Sequence, residues 1–285
     1  MSNNTGPLKQ RLATYGIYAK KGLGQNFLHD RSYVRQIVEA AELAPGDVVV
    51  EIGPGPATLT YDLAEAVRPG GKVVAVEVDE RLQKLLGDVQ QQCPEVTVLW
   101  QDALQVDYGA VTAPYRTGDT FALVANLPYY ITTPILMHLL EGNFPVSHLV
   151  LMVQKEVAER ILASPGTKNY GALSVAVQYR CRGRMVAIVP PGAFVPAPKV
   201  SSAVIRLDRR AEPAVTVQNE AVFFRVVAAA FQQRRKTLLN ALGVLAGDRT
   251  KETLHNQLHA CGIDPVRRGE TLTLEEFARV ADLFV

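Results

Sequence analysis

The chain has little cysteine: Cys93, Cys181 and Cys261 stand far apart in 285 residues. No CxxC pair occurs. A disulfide framework and a cysteine metal site are therefore excluded, and a reducing compartment is the expectation. Long apolar runs are also lacking. The longest, such as Leu149 to Val153, are strand-sized, far below the roughly 18 residues of a membrane-spanning helix. The polar stretch Met1 to Gly6 has no apolar core of the kind a secretory signal needs, so a cytoplasmic location is expected. No repeat of fixed period and no low-complexity tract is present, which sets aside solenoids and arrays. With 48% hydrophobic and 20% charged residues, a largely disordered chain is excluded too. The length allows one or two domains.

Net charge is small, at +2, but its distribution is not even. Residues 1–29 carry four basic and no acidic side chains. Residues 30–150 carry seven basic and sixteen acidic, and residues 151–210 carry ten basic and three acidic. Residues 211–285 hold nine of each. Two basic zones around an acidic one suggest a polyanionic partner.

Hydrophobic periodicity supplies the fold class. Val34, Ile37, Val38 and Ala41 recur at helical spacing behind Asp30, a suitable N-cap. Short apolar runs at 47–52, 72–78, 96–101, 120–125 and 149–153 alternate with helical patterns. That order implies βαβ units, a mainly parallel sheet with helices on both faces, and ligands beyond the carboxyl ends of the strands. Leu173, Val175, Val177 and Tyr179 alternate with smaller or polar residues and read as a strand; 185–189 and 200–207 read as two more. Past a linker at 208–219 the pattern is helical throughout, and Thr273 with Glu276 forms a capping box. The expected organisation is a basic N-terminal arm at 1–29, an α/β Rossmann-like domain at 30–210 and a small all-α domain at 211–285.

The residues after each strand carry the chemistry. Glu51-Ile52-Gly53-Pro54-Gly55-Pro56 is a glycine-rich strand-to-helix turn that lets a ligand approach the backbone. Thr58 stands where the dinucleotide fingerprint needs glycine, and two prolines remove N–H donors, so dinucleotide and phosphate binding are poorly served. Glu77 ends the second strand at the spacing of a ribose-binding acid. Asp102 follows the third and can accept from an adenine amino group. Each of these acids is equally a helix cap when taken alone. The fourth strand ends in Asn126-Leu127-Pro128-Tyr129. An exocyclic adenine amine is a poor nucleophile, because its lone pair is delocalised into the ring. The Asn126 side-chain carbonyl, with the Leu127 or the Pro128 main-chain carbonyl, can accept its two N–H groups and favour a developing positive charge. Tyr129 offers a ring for an unstacked base.

These motifs together resemble the S-adenosylmethionine-dependent rRNA adenine N6-dimethyltransferases, above all the bacterial enzymes of the small subunit. Lys21 to Leu28 (Lys-Gly-Leu-Gly-Gln-Asn-Phe-Leu) matches the family's N-terminal signature, and Phe194 to Ser202 its second aromatic signature. Lys168 to Gly171, Arg234 to Leu238 and the helical tail also fit, so the resemblance runs from about residue 20 to the end. It implies S-adenosyl-L-methionine as cofactor, held by Gln25, Asn26, Leu28, Glu51, Gly53, Gly55, Glu77, Asp102 and Asn126. It implies that Tyr129 and Phe194 sandwich a flipped adenine beside Asn126, Leu127 and Pro128. The implied partner is 16S rRNA in the immature small ribosomal subunit, dimethylated at two adjacent adenines of its 3′-terminal hairpin by a monomer without metal. Lys20, Lys21, Arg180, Arg182, Arg184, Lys199, Arg234, Arg235 and Lys236 are the candidate phosphate contacts. Arg180, Arg182 and Arg184 would line one strand face if extended. Two positions depart from the family pattern: Pro56 in place of a third glycine, and Tyr130 where asparagine or a small polar residue is expected. Two alternatives stay open. One is a large-subunit (23S) rRNA adenine dimethyltransferase. The other is a ribosome-assembly RNA-binding factor with dispensable catalysis.

Overall fold

The computed structural model describes residues 8–18, 24–233 and 235–285. Two compact units emerge, and neither is contiguous in sequence. The first comprises the chain up to Ala158 together with Arg184–Arg209; the second comprises Glu159–Gly183 and Arg210–Val285.

The first unit begins with helix α1 (Leu8–Thr14) and the short strand β1 (Phe27–Leu28). Helix α2 (Arg31–Ala41) follows, capped by Asp30, whose carboxylate accepts from the Ser32 N–H. Then come β2 (Val48–Ile52), α3 (Thr60–Ala66), β3 (Lys72–Glu77), α4 (Gln83–Gln92), β4 (Val96–Trp100) and α5 (Tyr108–Thr112). They are followed by β5 (Phe121–Asn126), α6 (Thr132–Glu141), β6 (Val146–Gln154) and α7 (Lys155–Ile161), within which the unit boundary falls. After α8 (Ala172–Arg180) and β7 (Cys181–Val189), the chain adds β8 (Phe194–Val195) and β9 (Ser202–Arg209).

Seven strands form one sheet in the order β4-β3-β2-β5-β6-β9-β7. Strands β2 to β6 pair in parallel, and β9 runs antiparallel to β6. All five residues of β2 are buried, as a strand covered on both faces requires. Val49, Val73, Val96 and Val124 pack with Leu63, Leu85, Leu86 and Val89 of the flanking helices. The parallel strands all end at one edge, and the loops there build the site. The predicted N-terminal arm is not a separate element: Leu12, Ile17, Phe27 and Leu28 are buried in this same core.

The second unit is helical. Its core joins Tyr170, Val175 and Tyr179 to Phe223, Val226 and Phe277 from α9 (Glu220–Gln232) and α12 (Leu274–Asp282), with α10 (Leu238–Ala241) and α11 (Lys251–Ala260) between them in sequence. Tyr179 stacks on Phe223 at 5.0 Å between ring centres. The capping box predicted at Thr273 and Glu276 is present, and Arg267 pairs with Glu276 at 2.6 Å.

One element corrects the sequence reading. Residues 172–180 form a helix, not a strand. Val175, Ala176, Val177 and Tyr179 are all buried. A helix covered on most sides loses its 3.6-residue signature, and the apparent alternation of period two is incidental. Ser174 accepts from the Gly171 N–H at the helix start. Residues 159–183 therefore group with the C-terminal helices, so the expected boundary at 210 does not hold for this segment.

Candidate active site

A cleft opens at the carboxyl ends of β2, β3 and β5. Its walls are the turn from Gly53 to Pro56, Glu51 beneath it, Glu77 and Val78, the turn from Asn126 to Tyr130, the segment Gly24 to Leu28, and Phe194. Motifs spread over 170 residues of sequence thus meet in one place.

The β2 turn needs its glycines. Gly53 and Gly55 both have positive φ, 71° and 52°, a region that favours glycine. A Cβ on Gly55 would lie 3.3 Å from the Phe27 ring. Backbone is thereby left bare toward the cleft. Arg11 donates a hydrogen bond to the Pro56 carbonyl, tying α1 to this turn.

Two carboxyl groups serve the turn differently. Glu77 is buried and accepts from the N–H groups of Val78 and Asp79, each at 2.9 Å, and of Gly55 at 3.2 Å. Burial raises its pKa against the pull of those donors. Glu51 is wholly buried, and its Oε2 has no hydrogen-bond partner among the described residues. Burial pushes its pKa up to about 8, with the Thr60 hydroxyl opposing and the negative Glu77 adding to the rise. A buried acceptor without a donor, on the wall of a cleft, fits a cationic ligand group.

The turn after β5 has a clear hydrogen-bond pattern. The Asn126 amide donates to the Asn26 carbonyl at 3.4 Å, which leaves its Oδ1 to accept. The Pro128 carbonyl already accepts from the Ile131 N–H at 3.1 Å and the Thr132 hydroxyl at 3.2 Å. The Leu127 N–H donates to the Met152 carbonyl, and the Leu127 carbonyl accepts nothing from the described residues. Of the two main-chain carbonyls left open by the sequence, Leu127 is the one with free acceptor capacity.

Two aromatic side chains flank this turn. Phe194 sits on β8, which pairs antiparallel with β1 so that Leu28 faces Phe194 and Phe27 faces Val195. His29 extends the pairing by donating its N–H to the Ala193 carbonyl. The Tyr129 hydroxyl lies 2.7 Å from Ser202 Oγ, at the start of β9. Burial raises the Tyr129 pKa, the Ser202 bond opposing.

Most predicted site residues meet here, but not all. Asp102 follows β4 and is not on the cleft wall; its Oδ1 accepts from the Leu104 N–H at 2.9 Å. Gln25 reaches the cleft, yet its amide donates to Asp79 at 2.9 Å. Arg81 and then Gln25 hold the Asp79 carboxyl below its ordinary pKa range. Among the basic residues, Lys20, Lys21 and Arg234 lie outside the described residues. Arg180 ends α8 and pairs with Glu220, its guanidinium 4.5 Å from the Phe224 ring centre. The expected row of three arginines on one strand is therefore reduced to Arg182 and Arg184, both exposed on β7, the latter 3.6 Å from the Glu42 carboxylate. Lys199, Arg235 and Lys236 are exposed. No group of three or more metal-binding side chains occurs among the described residues, and no described helix is long and apolar enough to cross a membrane.

Val78 and Arg11 were not among the expected site residues, and Ser202 was named only as the end of a signature, without its bond to Tyr129. Val78 is an apolar side chain left 60% exposed beside Glu77 on the cleft wall. Its position directly after a strand-end acid was a usable signal. The roles of Ser202 and Arg11 are tertiary and leave no local pattern.

The chain is similar to known proteins over nearly its whole length. The family model described as ribosomal RNA adenine dimethylase matches residues 17–284. Ribosomal RNA small subunit methyltransferase A of Moorella thermoacetica is 50% identical over 271 residues, covering 93% of this chain and 92% of that protein. The protein of the same name from Geobacillus thermodenitrificans is 48% identical over 280 residues, covering 97% and 94%. Among solved structures, the 23S rRNA methyltransferase ErmE superposes with a TM-score of 0.68 at 27% identity, covering 91% of this chain and 99% of that one.

Proposed function

This chain belongs to the ribosomal RNA adenine dimethylase family, and on that premise we propose that it dimethylates N6 of two adjacent adenines near the 3′ end of 16S rRNA. The substrate would be the immature small ribosomal subunit, met by a monomer in the cytoplasm, and the methyl donor S-adenosylmethionine. The observation that carries this reading is the pair of free acceptors, Asn126 Oδ1 and the Leu127 carbonyl, on a cleft shared with Glu77, Gly53, Tyr129 and Phe194.

When bound, S-adenosylmethionine supplies a methyl group already activated by its sulfonium. Glu77 and the apolar Val78 would hold its nucleoside part, and the bare Gly53 backbone with Glu51 its amino-acid part. The unpartnered Glu51 oxygen and the glycine cradle support that fit. The amino-group contact expected of Asp102 gains no support from the cleft wall, which it does not line. Asn126 and Leu127 then accept the two N6 hydrogens of the target adenine, which turns the nitrogen lone pair out of the ring plane. Tyr129 and Phe194 hold the base unstacked from its strand. Neither acceptor can take up a proton, so the site works by alignment and electrostatics, and the proton leaves to solvent. Arg182, Arg184, Lys199, Arg235 and Lys236, with Lys20, Lys21 and Arg234, would track phosphates.

Relatives at 48–50% identity over nearly the whole chain carry the small-subunit name, whereas the large-subunit methyltransferase is 27% identical. That favours the small-subunit substrate over the 23S alternative. Purified unmethylated small and large subunits, incubated separately with labelled S-adenosylmethionine, test the choice. Label in the small-subunit RNA alone is expected; label confined to the large subunit overturns it.

A further inference from the structure

Tyr130 lines the cleft, and the proposed chemistry leaves it unused. It directly follows Tyr129 and lines the same cleft, yet it is 61% exposed, against an almost fully buried Phe194 at 4%. Its hydroxyl makes no hydrogen bond among the described residues, so no polar contact accounts for its placement. One edge of the ring lies against Gly24. Gly24 has φ of 59°, and a Cβ built on it would lie 3.3 Å from Tyr130 Cδ1 and 3.7 Å from Pro128 Cβ. The glycine thus leaves room for one edge of the ring to rest against the backbone, and the remainder of the ring faces outward at the cleft mouth. A large aromatic surface kept open beside a base-binding cleft has an unfavourable hydration cost unless something covers it.

Resting on the function proposed above, we propose that Tyr130 is a stacking platform for the nucleobase next to the flipped adenine. A base pulled out of a strand leaves its neighbour without a stacking partner. An exposed ring one residue from Tyr129 can replace that partner. Stacking of a base on an aromatic ring is tolerant of sequence, but a purine covers more of the ring. Where the two targets are adjacent adenines, the flanking purine is itself the other target. Tyr130 would therefore hold one adenine while its neighbour is modified, and would set how completely both are dimethylated.

The test uses the full chain with unmethylated small subunits, and with a 3′-hairpin RNA carrying either adenine or an abasic site beside one target. Tyr130→Ala and Tyr130→Phe are compared with wild type. Tyr130→Ala is expected to lower kcat/KM for RNA by about 5- to 150-fold, with S-adenosylmethionine affinity by calorimetry unchanged. Tyr130→Phe is expected to restore wild-type kcat/KM. The abasic neighbour should weaken the wild type by a similar factor and leave Tyr130→Ala no worse. Equal losses from the abasic site in both proteins overturn the proposal. So does unchanged kcat/KM in Tyr130→Ala, or a loss of cofactor affinity, which would make Tyr130 a cofactor cover. A wild type that modifies no small-subunit adenine refutes the underlying function instead, so the two failures are distinct. Because Tyr130 is exposed, an unchanged melting temperature checks that Tyr130→Ala folds.

Discussion

Leu28 and Phe194 face each other across a two-residue antiparallel ribbon, although 166 positions separate them in the chain. Leu28 belongs to the stretch expected to touch the cofactor, and Phe194 to the stretch expected to hold the target base. The ribbon fixes one against the other through main-chain hydrogen bonds. The proposed cofactor and base sites thereby share one backbone feature, without a contiguous motif.

Phe194 should act on RNA and not on the cofactor. Phe194→Leu keeps apolar volume in a position that is 4% exposed, so the fold survives with a modest drop in melting temperature. Loss of the aromatic face should reduce kcat/KM for RNA by about 5- to 150-fold. Cofactor affinity by calorimetry should not change. An equal loss in both would place Phe194 in general structure.

Ser202 positions Tyr129. The 2.7 Å bond between them ties the ring to the start of β9, and Ser202 is fully buried. Ser202→Ala and Tyr129→Phe each remove that bond, at about 0.5–1.5 kcal/mol of stability. Because they remove the same interaction, the double variant should lose little more kcat than either single variant. Full additivity in kcat would show that the bond does not orient the ring.

Glu51 makes the unbound protein sensitive to pH. Its folded pKa, about 8, lies above the ordinary carboxylate value. The folded state therefore holds a proton that the unfolded state releases, and stability falls as pH rises from about 4.5 to about 8, by up to about 1.4 kcal/mol per pH unit. Glu51→Gln should flatten that dependence in denaturant titrations. The contact proposed between Glu51 and the cationic part of the cofactor calls for the ionised carboxylate, so binding near pH 7 should release a proton. Calorimetry in buffers of different ionisation enthalpy reads that release, and Glu51→Gln should abolish it while weakening affinity.

Much of this site was legible because the fold writes it at strand ends. Buried runs such as Val48–Ile52 and Phe121–Asn126 could be recognised from their length and β-branched content. Gly53, Glu77 and Asn126 follow from the rule that ligands sit beyond such ends. The 172–180 helix was not legible, because burial on most sides erased its periodicity. The choice of Leu127 over Pro128 could not be read either. It depends on the Pro128 carbonyl being taken by Ile131 and Thr132, which only the turn geometry reveals. The occupation of Arg180 by Glu220 is likewise a tertiary fact.

The central claim is that Asn126 aligns an adenine amine on a small-subunit rRNA. Its most direct test is mass mapping of 16S rRNA from unmethylated small subunits after incubation with S-adenosylmethionine and either wild type or Asn126→Ala. The account predicts two adjacent N6,N6-dimethyladenines near the 3′ end with wild type, and no detectable methylation with Asn126→Ala despite retained cofactor binding. Near-normal dimethylation by Asn126→Ala would contradict it.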